Sequence, residues 1–170
     1  MKRLFEYVVA FTLVTSPLAL SQSSRVTRAV VTINATASVV NNLEMVVVKD
    51  LEFQINDLAA SELVVDPQRS PDAAEIRILG SPNSLVRLTY ETRSVLQHEG
   101  GGSQLFFTNN LSGNSSDIQR QSILITRSNQ IRLNGQGLYY VWIGGQLTGI
   151  ENISPGQYNM DLTIQLEYVQ

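Results

Sequence analysis

The chain has 170 residues, carries 12 lysines and arginines against 15 aspartates and glutamates for a net charge of −3, and contains no cysteine. This length suits one domain with a core of its own, and the near-balanced charge offers no electrostatic footprint for nucleic acid or an anionic membrane. Without a thiol there is no disulfide, no lipid-bearing cysteine, no thiolate metal site and no cysteine nucleophile, so the fold must rest on apolar burial.

Met1-Lys2-Arg3 is a short basic start, Leu4 to Leu20 is mostly apolar around Val8, Phe11 and Val14, and Ala19 and Ser21 place small residues before a cut after Ser21. These are the three parts of a secretory signal peptide, predicted over residues 1–21, with a single exported domain over residues 22–170. A transmembrane anchor is the competing reading, but Glu6 and Pro17 leave an uninterrupted apolar run well short of the roughly 20 residues a span needs.

Period-two alternation then dominates. Ala29, Val31, Ile33, Ala35, Ala37 and Val39 share one face of an Arg28–Val40 strand, with Val30 out of phase. Asn41-Asn42 make a turn into a β-rich run over Leu43–Ile55; Asn56–Glu62 is the best helical candidate, and a short one. Glu62–Val65 is a strand before the loop Asp66–Asp72. Ala74, Ile76 and Ile78 alternate with Glu75 and Arg77, and Val86, Leu88 and Tyr90 with Arg87 and Thr89. Gly100-Gly101-Gly102 predicts a loop, Leu105–Phe107 a strand, Asn109–Asp117 a polar turn region, and Ser122–Thr126 and Leu138–Leu147 two further strands. Tyr158, Met160, Leu162, Ile164, Leu166 and Tyr168 alternate with polar residues after the Pro155-Gly156 turn, so one strand is predicted there, with one face buried and one wet. About nine or ten short strands with Gly, Pro and Asn turns predict an all-β, antiparallel sandwich or barrel.

Two segments carry a family resemblance. Ala35–Val40 is followed by Leu43 and Leu51-Glu52-Phe53. Near the other end, Val141–Leu147 with Gly144-Gly145-Gln146-Leu147 is followed by Pro155-Gly156-Gln157-Tyr158 and a strand closing at Tyr168. The chain resembles the exported bacterial domain-of-unknown-function family 4402, and its closing strand is similar to those of pilin subunits and spore-coat-U-like proteins. The resemblance implies an immunoglobulin-like, pilin-like sandwich and gives Gly144, Gly145, Leu147, Pro155, Gly156, Tyr158 and Tyr168 structural roles. It also implies copies of itself, other surface subunits and a periplasmic chaperone as partners. Pilins usually hold a disulfide, which this chain cannot form. Only Gln22–Thr27 precede the first strand, too few at about 3.3 Å per residue to fill a neighbour's groove. A donated strand would therefore have to be Arg28–Val40 itself.

Few residues suggest chemistry. His98 is the single histidine, and its neighbours Gln97, Glu99 and three glycines predict an exposed hairpin loop rather than a general base. Asp66, Asp72 and Glu75 could offer oxygens to calcium, but lack the Asp-x-Asp-x-Asp-Gly spacing, and a solvated loop is the simpler reading. Tyr140 and Trp142 share a strand face, so they predict either an aromatic interaction surface or core packing with a cross-strand partner. Asn34, Asn110, Asn114 and Asn152 begin formal glycosylation sequons. With no Gly-x-Ser-x-Gly elbow and no cofactor loop, neither catalysis nor a cofactor is expected. The function expected is a secreted or cell-surface structural or adhesive protein. The alternatives are a carbohydrate- or calcium-binding sandwich and a small outer-membrane barrel.

Overall fold

A computed structural model describes residues 27–32, 42–55 and 61–169. The expected signal peptide, the second half of the Arg28–Val40 strand, the start of the Asn56–Glu62 stretch and the Asn34 sequon lie outside those residues.

Thirteen strands account for most of the described chain. They are β1 (Thr27–Thr32), β2 (Glu44–Lys49), β3 (Leu51–Ile55), β4 (Glu62–Val65), β5 (Ala74–Leu79), β6 (Leu85–Tyr90), β7 (Arg93–His98), β8 (Gln104–Asn114), β9 (Ile123–Ile125), β10 (Ser128–Arg132), β11 (Leu138–Thr148), β12 (Gln157–Asp161) and β13 (Ile164–Tyr168), with short 3-10 turns at Gln119–Gln121 and Ile150–Asn152. The protein is an all-β sandwich. The larger sheet runs β2-β5-β11-β8-β7-β12-β1-β3, with β4 also on β11 and β9 also on β8; the smaller sheet is β10-β6-β13. The pairings are antiparallel except β1 with β12, which is parallel.

The predicted alternation sets which face is buried. On β8, Leu105, Phe107 and Leu111 point inward, and on the neighbouring β11 so do Val141, Ile143 and Leu147. The smaller sheet contributes Val86, Leu88, Ile131, Ile164 and Leu166 to the same core. Burying each such side chain contributes about 1.5–3 kcal/mol, which stands in for the missing disulfide. Apolar faces in and polar faces out is the reverse of a lipid-facing barrel, whose apolar band points outward.

Several expectations are corrected at the bends. Residues 158–168 do not form one strand: Leu162-Thr163 separates β12 in the larger sheet from β13 in the smaller. Two further runs cross likewise: β6 to β7 through Glu91-Thr92, and β9 to β10 through Thr126-Arg127. The Leu43–Ile55 run divides at Asp50 into β2, paired with β5, and β3, paired with β1. These are opposite ends of the larger sheet's order, so that sheet curls until its ends meet along one stretch of chain. Asn109–Asn114, expected as turn, is the second half of β8, and β7 and β10 lie where no strand was predicted.

A bend takes backbone groups out of their ladder, and these must be satisfied some other way. At the β6–β7 corner Asn109 does this. Its backbone N–H donates to Thr92 O at 2.9 Å, and its buried amide donates to Glu91 O at 2.7 Å and Ser94 Oγ at 2.8 Å. Tyr90 joins the same corner to the β9–β10 bend: its hydroxyl donates to Ile125 O at 2.9 Å and its N–H to Arg127 O at 3.2 Å. Asn109→Ala is expected to lower the unfolding free energy by about 1–3 kcal/mol. Asn109→Asp is expected to cost more, because a carboxylate would face the Glu91 carbonyl out of water. Urea unfolding midpoints of the two variants test that order.

Candidate functional site

Two places gather the residues singled out by sequence: the outer face of β11 and the turn after β7. On β11, Tyr140 and Trp142 do share the outer face. Their rings are nearly parallel, 6.4 Å apart at 18°, and the Arg77 guanidinium from the adjacent β5 lies 5.3 Å from the Tyr140 ring centre. Trp142, however, is only 4% exposed. The expected aromatic platform is thus not open to a ligand, and Tyr140 alone of the pair is half-buried.

The cover comes from the 66–73 loop and the Gln119–Gln121 turn. Ser112, the cross-strand partner of Trp142, is buried and donates from Oγ to Pro67 O at 3.1 Å. Gln119 Nε2 donates to Pro67 O at 3.0 Å and Ser70 O at 2.9 Å, while Ser122 Oγ lies 2.8 Å from Ser112 Oγ. Gln68 Nε2 reaches back to Ser122 O. The loop sits this close because Gly144 carries no side chain, and β8 lies as close on the other side because Gly145 carries none. A Cβ on Gly144 would lie 2.2 Å from Val65 O, and one on Gly145, at φ 151°, would lie 2.0 Å from Thr108 O. Leu147, the next motif residue, is fully buried.

The same loop holds two of the three candidate calcium ligands, Asp66 and Asp72, and the third, Glu75, follows it on β5. Asp66 accepts the Gln68 N–H at 2.8 Å on Oδ1, an ordinary side-chain turn, and Asp72 is exposed. Glu75 is half-buried, and loss of water raises its pKa above the usual carboxylate value; the nearby negative charge of Asp117 raises it further, against smaller opposing effects of Arg77 and Lys49. Among the described residues, no three His, Asp or Glu side chains converge in a way that could hold a metal ion.

His98 is not in an exposed loop. It ends β7, and its half-buried ring stands edge-on to Tyr158, with centroids 4.9 Å apart. Nδ1 accepts the Gly100 N–H at 3.0 Å, and Nε2 lies 3.3 Å from Pro155 O, contacts that suit the neutral Nε2–H tautomer. Tyr158 is fully buried and donates its hydroxyl to Ser154 O at 2.9 Å. Gly156 passes so close that a Cβ there, at φ 154°, would lie 2.2 Å from His98 Nε2. Thus His98 fastens the β7–β8 hairpin to the Pro155-Gly156-x-Tyr158 turn, and the glycine is what lets the ring lie there. Tyr168 has a similar duty at the other end, accepting the Ser81 N–H at 2.9 Å. Of the sequons, Asn110 is exposed on β8 and Asn114 half-buried at its end.

Asn109, Ser112, Ser122 and Gln119 were not singled out by sequence. The one available signal was a polar residue at an inward position, Asn109, two places from Phe107 and Leu111. No family model matches the chain, and no curated protein matches it.

Substitutions at Gly156, His98 and Glu75 test these roles. Gly156→Ala should destabilise by about 1–3 kcal/mol through its φ and the His98 contact; adding His98→Ala should relieve the contact and leave the φ strain, so a double-mutant cycle should show coupling of about 0.5 kcal/mol or more. For Glu75, a raised pKa in the folded state means that its contribution to stability is present in acid and lost as pH rises through the folded value. Glu75→Gln should therefore melt above the wild type at neutral pH, and the gap should close on acidification toward the carboxylate range, as followed by thermal melts across pH.

Proposed function

We propose that this protein is an exported structural or adhesive component of a cell surface, a sandwich subunit that packs against copies of itself or related subunits. The observation that carries this reading is the placement of exposed aliphatic side chains. Val46 and Val48 lie on β2, Val64 on β4, and Ile123 and Leu124 on β9, with exposures from 39% to 65%. Each of these strands has a single hydrogen-bonded neighbour among the described residues. Sandwich proteins that stay apart blunt such edges with charge, proline or bulges, as β2 does in part between Val47 and Lys49. The β4 and β9 edges present aliphatic side chains instead.

The residue 1–21 pattern supports export, and the Gly144-Gly145 and Pro155-Gly156-x-Tyr158 segments support likeness to the pilin-like family 4402. Their implied partners are further subunits and a periplasmic chaperone. The carbohydrate-binding alternative loses its aromatic platform with the burial of Trp142.

Sedimentation velocity over a wide concentration range, together with fractionation of the source cells, tests the proposal. Concentration-dependent association and recovery in a surface or filament fraction are expected. A protein that stays monomeric at high concentration and is absent from the surface would overturn it.

A further inference from the structure

We infer that the repeating contact is head-to-tail: the β9 edge of one copy enters a concavity beside His98 on the next. This rests on the self-assembly reading above and names its two surfaces. The first is a ridge. Ile123 and Leu124 are 65% and 62% exposed on opposite faces of β9, and Ile118, 45% exposed, precedes them. Ile118 lies beside them, since Asn114, next to the Ile123 partner Gly113, donates from Nδ2 to Ile118 O at 3.4 Å. Arg120 and Arg127 flank the ridge; both are exposed, and neither guanidinium makes an ion pair among the described residues.

The second surface is a concavity of about 450 Å³ where β7 meets β12; Val95 is its exposed apolar residue, Met160 lies buried behind it, and Gln97, Asn159 and the Glu99 carboxylate supply its polar part. Its size suits aliphatic side chains. The exposed Glu99 carboxylate, which accepts one hydrogen bond from Asn159 at 2.9 Å, is opposite in charge to the ridge's arginines, so a guanidinium of one copy meets it on the next.

The two surfaces occupy opposite ends of one strand edge. On β8, Gln104 faces Gln97 beside the concavity, and Gly113 faces Ile123 of the ridge. The distance between those positions is about 30 Å at 3.3 Å per residue. A ridge and a socket at opposite ends make a heterologous contact, which repeats into an open chain instead of closing as a two-fold dimer.

Two double variants at exposed positions test this by sedimentation: Ile123→Asp with Leu124→Asp on the ridge, and Val95→Arg with Glu99→Arg at the socket. Circular dichroism and melting should match the wild type, and each variant alone should lose self-affinity by about tenfold or more. Mixed, they should form a one-to-one complex and nothing larger, because only the intact socket of the first and the intact ridge of the second remain. Loss of association in the ridge variant alone would overturn the socket, pointing to edge-to-edge pairing or to a different partner for the ridge. Association unchanged in both would overturn this contact and leave self-assembly standing. A wild type that never associates would remove both.

Discussion

The structure depends on strands that belong to two sheets at once. Three runs of chain, β6–β7, β9–β10 and β12–β13, begin in one layer and end in the other. Each crossing removes a few residues from the ladder, and a buried N–H or carbonyl left there would cost about as much as the bend gains. Asn109 solves this for the β6–β7 corner by placing a side-chain amide where a strand would have been. Tyr90 then fixes that corner to the neighbouring bend through Ile125 O and Arg127 O. The price appears in the core itself: one inward position on β8 is polar, between Phe107 and Leu111.

Close backbone approach serves a second purpose in a chain without cysteine. A disulfide would join distant segments covalently; here glycine lets them touch and hydrogen bonds hold them. Gly144 and Gly145 admit the 66–73 loop on one side and β8 on the other. Gly156 admits the His98 ring, whose two nitrogens then engage Gly100 and Pro155. Residues that look like candidates for chemistry are in this way committed to architecture. The imidazole ties two turns together, the Asp66 carboxylate closes a turn, and the Trp142 indole lies beneath a hydrogen-bonded cover.

Alternation made the strands legible wherever the apolar residues faced the core without interruption, as in β5, β6, β11 and the closing run. It could not reveal the break at Leu162-Thr163, because the phase passes through the bend unchanged: Met160, Leu162 and Ile164 are all buried. The β7 strand hid for the opposite reason. Its inward residues include Ser94, while Val95 faces solvent at 40% exposure, so its hydrophobicity runs partly against its geometry. The second half of β8 resembled a turn because Asn109 and Ser112 are polar, yet the N–H groups of one are taken up by a corner and the hydroxyl of the other by a loop 45 residues away in sequence. Sequence placed Tyr140 and Trp142 on one strand face and left open whether that face packs or is exposed. The loop that covers Trp142 is held by Gln119 and Ser122, and no local pattern announces such partners.

Charge and exposure are distributed unevenly for a molecule with a net charge of only −3. Long-range repulsion between copies at that charge is slight, so local complementarity decides whether and how they meet. The β9 edge keeps two arginines beside its exposed aliphatic residues, whereas the far end of β8 brings the Glu99 carboxylate next to the exposed Val95. Two identical ridges placed against each other would bring their arginines, and so like charges, together. The pattern therefore disfavours ridge-to-ridge pairing and favours ridge-to-socket pairing. The polarity of a chain of subunits would follow from the direction of one strand.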